Sequence, residues 1–147
     1  MHSGFITGKR LCFWKIDERN LEEILRMCAP KCQTEKECLE QEWGKRIKKE
    51  KDDYNNFSFI VKNRKKKPVG LVTFETENQK DFRIIVFVPN VEDANRWKDY
   101  IIESILQYVE DFTNIWTVYE MVFKNDLQDG KYEVIGTNYD FIVSVSA

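Results

Sequence analysis

Between Asp81 and Asn114 the chain spells out a strand, a turn and a helix, and this stretch restricts the fold more than any other. Asp81-Phe-Arg-Ile-Ile-Val-Phe-Val88 ends in an unbroken apolar, mostly β-branched run. A short run of that kind is the pattern of a strand covered on both faces. Pro89-Asn90 interrupts it. Beyond the break, Trp97, Ile101, Ile105, Tyr108 and Phe112 recur at the spacing of one helix face, which Tyr100, Ile102, Leu106 and Val109 widen. A central strand that turns into a long helix aims free amides and the positive helix end at one spot. That arrangement suits a phosphate-bearing ligand.

The 147 residues are one domain's worth, 1–147, and enough for a core. Hydrophobic residues make up 42% and aromatics 14%, which argues against disorder. Basic and acidic residues nearly cancel, 23 against 25, so no global charge attracts nucleic acid. No segment approaches the roughly 18 to 20 apolar residues of a membrane span. The first ten residues lack the apolar core of a signal peptide. With Cys12, Cys28, Cys32 and Cys38 read as reduced thiols, the expected location is cytoplasmic.

In order, Arg10 to Ile16 forms a first strand and Asp17 caps a helix reaching Cys28, with Leu21, Ile24, Leu25 and Cys28 on one face. Ala29-Pro30 stops it. Thr34-Glu-Lys-Glu37 has the form of a capping box for a second helix towards Lys49, whose apolar face is Cys38, Leu39, Trp43 and Ile47. The charged string from Lys45 to Asp53 reads as the solvated end of that helix. Strands follow at Asn56–Lys62 and Val69–Glu75, joined by the charged turn Asn63–Pro68, and the strand from Asp81 completes an antiparallel meander. After the long helix come a strand at Ile115–Phe123, a loop at Asn125–Gly130, a short strand at Lys131–Ile135, a turn at Gly136–Asn138 and a last strand at Tyr139–Val145. The expectation is an α+β, three-layer domain with a mixed, mostly antiparallel sheet of six or seven strands, in the order β-α-α-β-β-β-α-β-β-β.

From Arg10 to Asn125 this order resembles the GNAT superfamily of N-acyltransferases. Arg10 to Ile24 resembles the family's opening strand and acid-capped helix, Lys67-Pro-Val-Gly-Leu-Val72 its third strand, and Phe87-Val-Pro-Asn90 the end of its fourth. Lys124-Asn125 resembles the close of its fifth. The resemblance implies acetyl-CoA as cofactor, held by backbone amides where the fourth and fifth strands splay and where the long helix begins. On this chain those positions are Phe87, Val88, Ala94, Asn95, Arg96 and Trp97, with Asn125 in a positioning role. It also implies a primary amine acceptor, either a small molecule or a peptide.

Three features depart from the family. Its glycine-rich pyrophosphate loop is replaced by Val91-Glu-Asp-Ala-Asn-Arg96, which has no glycine and two acids. The loop from Asp126 to Gly130 is too short for the helix that normally follows the fifth strand. The fourth strand has no glutamate to act as base, leaving Glu75 and Glu120 as the carboxylates of suitable type on neighbouring strands. Apolar surface left bare near the fifth strand suggests a homodimer.

Other chemistries find less support. The spacing Cys28-x3-Cys32-x5-Cys38 fits no common zinc pattern, so no metal is expected, and no positioned histidine activates a thiol. Phosphate loops of the GxxxxGK[ST] type and Gly-x-Ser-x-Gly elbows are absent. Trp14, Trp43, Trp97 and Trp116 fall at core-facing or half-buried positions and read as packing. Two functions compete: an acyl-CoA-dependent N-acyltransferase, and a GNAT-like binding or interaction module without turnover. An unrelated α+β interaction domain is the third class.

Overall fold

The structure, a computed structural model, describes residues 6–7, 10–112, 117–124 and 132–137, with side chains for residues 10–109 and 117–124. Its elements are β1 (Ile6–Thr7), β2 (Leu11–Lys15), α1 (Leu21–Cys28), α2 (Gln33–Glu50), β3 (Asn56–Asn63), β4 (Pro68–Thr76), β5 (Asp81–Phe87), α3 (Val91–Phe112), β6 (Thr117–Lys124) and β7 (Tyr132–Thr137). They form one seven-stranded sheet in the order β1-β2-β3-β4-β5-β6-β7. Among the described strands only β5 and β6 run parallel; the other neighbours are antiparallel. The α+β class and the mixed sheet are those expected. The two-residue β1 has no sequence signal and moves every later strand up one place.

Alternation along the strands builds two cores. Phe13, Phe59, Phe74, Ile84, Val86 and Met121 face α3, packed on Trp97, Ile101, Ile105 and Tyr108. Phe57 and Phe74 stack there with ring centres 5.1 Å apart. On the other face, Ile16, Ile60, Leu71 and Phe87 pack against Ile24 and Leu25 of α1 and Leu39, Trp43 and Ile47 of α2. The sheet is thus the middle of three layers.

Local chemistry sets the helix ends. Asp17 accepts from the Arg19 amide at 2.8 Å, and its own amide donates to the Asn20 side chain at 2.9 Å, closing a capping box around a single 3-10 turn at Glu18–Asn20. Ala29 ends α1 in the left-handed region at φ 47°. α2 begins one residue before the expected Thr34. Its cap is Cys32, whose sulfur accepts from the Glu35 amide at 3.4 Å while Glu35 accepts from the Lys31 amide at 3.3 Å. The cap is thus a thiol two residues upstream of Thr34, and Glu35 reaches past it to the Lys31 amide, so the reciprocal box does not close.

Several burial expectations need correction. Cys38 and Tyr100 are exposed, and Trp14 is 48% exposed on β2. In each case the helix or strand has room for its core face without them. Gly136 and Thr137, expected in a turn, lie within β7. Trp116, the loop from Asn125 and the final strand at Tyr139–Val145 fall outside the described residues.

One glycine is obligatory. A Cβ on Gly70 would stand 2.5 Å from the Phe87 carbonyl oxygen and 3.0 Å from Val88 Cγ2. Gly70 of the Val-Gly pair therefore leaves room for the Phe87 carbonyl and Val88 at the end of β5.

Candidate functional site

The β5–turn–α3 junction was expected to hold the ligand, and its amides are mostly committed. Asn90 caps α3: its side-chain oxygen accepts from the Asp93 amide at 3.1 Å, and its carbonyl accepts from Ala94 at 2.8 Å. The helix starts at Val91, so the amides of Asn95, Arg96 and Trp97 fall inside its regular hydrogen-bond ladder. Val91 and Glu92 are the first-turn residues whose amides have no intrahelical carbonyl to meet. Ala94 and Trp97 turn into the core, while Asn95 and Arg96 are exposed, with the Arg96 guanidinium 4.9 Å from the Trp97 ring centre.

The expected splay between β5 and β6 does not occur over the described residues. Pairing runs from Asp81↔Thr117 to Phe87↔Lys124, and the Val88 amide donates to the Lys124 carbonyl at 3.0 Å. Phe82 pairs with Val118 and Arg83 with Glu120, so the strain of the pairing is taken up by one extra residue, Tyr119. The strands stay together beyond the point where a slot would open. Asn125, assigned a positioning role, lies outside the described residues.

Glu75 and Glu120 do come together, through Arg83. The three sit side by side on β4, β5 and β6, on the α1–α2 face of the sheet. Arg83 Nε donates to Glu120 Oε1 at 2.5 Å and its Nη1 to Glu75 Oε1 at 3.1 Å. The Glu120 hydrogen bond, reinforced by Glu75, raises the Arg83 pKa above its usual value against the opposing effect of burial. Each of the three side chains is about one-third exposed, so water reaches the row.

Two of the hollows on this face follow β4 and β5. An open cleft of about 510 Å³ is walled by Arg26 and Met27 of α1, by Lys67 and Val69 at the start of β4, and by Pro89, Asn90 and Asp93 at the start of α3. A smaller, more enclosed pocket of about 140 Å³ lies beneath α2. Leu39, Glu42, Trp43 and Arg46 form its roof, and Leu71, Thr73, Ile85, Phe87 and Lys124 its floor. The hollows follow one another along two strands: Val69 and Pro89 line the first, Leu71 and Phe87 the second. The carboxylate row is the next same-face step beyond Thr73 and Ile85, roughly 7 Å further along the strands.

Arg46 is tied into the pocket wall. Its Nε donates to Glu50 Oε2 at 2.5 Å, its Nη2 to Thr73 Oγ1 at 3.0 Å, and its guanidinium lies 4.6 Å from the Trp43 ring centre. Thr73 in turn shares a 2.9 Å hydrogen bond with Ser58. Sequence reading missed Glu42, Arg46 and Lys124 as pocket residues. The four-residue step from Glu42 to Arg46 could have placed them on one helix face, but the register that brings Lys124 beneath them is not local.

Among the described residues no group of three or more His, Cys, Asp or Glu is arranged to hold a metal, and no helix is long and apolar enough to cross a membrane. Burial pushes the Cys28 thiol up to about 11, with Glu42 and Glu35 adding to the effect.

No protein-family model and no curated protein matches the sequence. Solved structures do match. A spermidine N-acetyltransferase chimera from Vibrio cholerae aligns at a TM-score of 0.60 and 16% identity, over 77% of this chain and 68% of that one. The spermidine N-acetyltransferase of Vibrio cholerae in complex with CoA and spermine aligns at 0.58 and 14% identity, over 79% and 71%. At such identities the likeness speaks for architecture. The three layers, the parallel β5–α3–β6 crossover and these alignments give one conclusion: the chain has the GNAT fold.

Proposed function

We propose that this chain is an acyl-CoA-dependent N-acyltransferase acting on a small primary amine. One observation carries the reading: the start of α3, the open cleft and the enclosed pocket lie in line along β4 and β5, in a fold shared with enzymes whose names describe amine acetylation. Lys67 and Arg26, with the amides of Val91 and Glu92, suit a diphosphate in the cleft. The pocket beneath α2 suits the acceptor.

When bound, acyl-CoA would supply an activated acyl group to the amine, with CoA leaving as its thiol after taking up a proton from water. The chain's own part is to orient the amine and take its proton. Glu120 and Glu75, one step along the sheet face, would receive it through water, since Arg83 occupies an oxygen of each. Apolar walls from Leu39, Leu71 and Phe87 exclude bulk water from the acceptor.

A second reading is a GNAT-like binding module without turnover. It is favoured by the uninterrupted β5–β6 pairing, by the Asn90 cap, and by the carboxylates of Glu92 and Asp93 where phosphates would lie.

Calorimetric titration with acetyl-CoA, alongside a thiol-release assay on a panel of small amines, separates the two. Saturable binding with amine-dependent CoA release supports the enzyme. Binding without release supports the module, and no heat at millimolar acetyl-CoA removes the acyltransferase reading.

A further inference from the structure

The pocket beneath α2 carries two unspent charges of opposite sign. Glu42 stands at its roof and Lys124 at its floor, and neither side chain makes a hydrogen bond or ion pair among the described residues. The third charge in the lining, Arg46, is already committed to Glu50 and Thr73. The remaining lining is apolar but for Thr73: Leu39, Trp43, Leu71, Ile85 and Phe87.

We propose that this pocket binds a small zwitterion, a free α-amino acid with an apolar side chain. Its carboxylate pairs with Lys124, its ammonium with Glu42, and its side chain lies between Trp43, Leu71 and Phe87. Three features favour that class. First, a ligand with one charge would meet only one of the two, whereas a zwitterion matches both the half-buried Lys124 and the exposed Glu42 at the rim. Second, the volume is close to that of an engineered protein cavity known to take benzene, which sets the enclosed portion of the ligand at on the order of six to nine non-hydrogen atoms. Valine and leucine fall in that range; a peptide segment or a nucleotide does not. Third, the roof and floor come from separate elements, α2 and β6, fixed by the sheet register Phe87↔Lys124. The charges are therefore held apart by the fold rather than by a flexible loop.

As a statement about the acylated amine, this rests on the acyltransferase reading. As a statement about binding, it does not. Titration of the full chain with leucine, leucinamide and 4-methylpentanoate, without acetyl-CoA, tests it directly. Leucinamide lacks the carboxylate and 4-methylpentanoate the ammonium. The expected result is saturable binding of leucine, with each analogue at least tenfold weaker. Lys124→Met should weaken leucine at least tenfold and abolish its advantage over leucinamide. Glu42→Gln should do the same for its advantage over 4-methylpentanoate. Both side chains lie at the pocket edge, and unchanged melting temperatures would show that the variants fold. Equal binding of all three ligands, no binding of leucine at 10 mM concentration (on the order of a 3 kcal/mol interaction), or unaltered leucine affinity in both variants would overturn the proposal. Leucine binding without any acetyl-CoA heat would uphold the pocket assignment and sink only the acyltransferase reading.

Discussion

Arg83 Nε lies 2.5 Å from Glu120 Oε1 across the parallel pair β5–β6, and the same guanidinium reaches Glu75 on the other side. The two carboxylates proposed to move a proton are thus held by one cation. Replacing Arg83 with Gln removes two ion pairs that are about one-third exposed and leaves Glu75 and Glu120 flanking a neutral side chain. The expected loss is about 1 kcal/mol, since exposed pairs contribute little individually. Urea denaturation at two salt concentrations checks it: the loss should shrink as salt rises. On the acyltransferase reading, Glu120→Gln and Glu75→Gln should each lower kcat with little change in melting temperature.

Beneath α2 the arithmetic is different. Glu50 is 2% exposed, and Arg46 is its side-chain partner. Arg46→Met would strip the buried carboxylate of its ion-pair partner and leave it the through-space attraction of Lys15, at a cost of about 3 kcal/mol, the low end for a buried pair. The double change Arg46→Met with Glu50→Leu should recover most of that. A recovery of less than half would mean that Arg46 acts mainly through Thr73 and Trp43.

Gly70→Ala tests the crossing of β4 and β5. The new methyl meets backbone, the Phe87 carbonyl, which cannot rotate away. A loss of about 1–3 kcal/mol is expected, together with a shift in the amide resonances of Phe87 and Val88. A melting temperature equal to the parent protein would show that the strand ends are more loosely apposed than described.

Asp17 caps the turn that leads into α1, and its hydrogen bond from Arg19 holds its pKa below the usual carboxylate value. A depressed folded-state pKa means that the stabilisation is present above the unfolded value of 3.8 and is lost as pH falls through the folded one. Asp17→Ala should cost about 0.5–2 kcal/mol at neutral pH and much less at pH 2. Stability curves of the two proteins that stay parallel down to pH 2 would contradict this.

Cys28 behaves in the opposite sense. Its folded pKa is raised from 9.0 to about 11, chiefly by burial. The folded state's preference for the protonated thiol is complete below pH 9 and is lost as pH rises through about 11. Iodoacetamide at pH 8 should therefore label the exposed Cys32 and Cys38 before Cys28, as peptide mapping would show.

The strand, turn and helix from Asp81 were legible because each announces itself locally: an apolar run, a proline, then a 3.6-residue period. So were Asp17 as a cap and the burial of Leu39, Trp43 and Ile47. The cap of α2 was not. Thr34 and Glu37 have the usual chemistry, but the cap forms at Cys32, whose thiol accepts from the Glu35 amide. Trp14 was misread because strand alternation fixes which residues share a face but not whether a helix covers that face as far as its edge. The pocket was out of reach altogether. Glu42 and Lys124 are far apart in sequence and meet only through the β5–β6 register.

That register also bears on how the chain acquires its shape. β3, β4 and β5 follow one another through short turns, so their pairing closes small loops and can form early. β6 must wait for the 22 residues of α3 to coil and cross back over the sheet. Until it docks, β5 presents its Phe87 edge bare. A nascent or partly denatured chain of this kind would fold in two stages, a fast meander and a slower closure by β6. The hollow beneath α2 would gain its lysine only at the second.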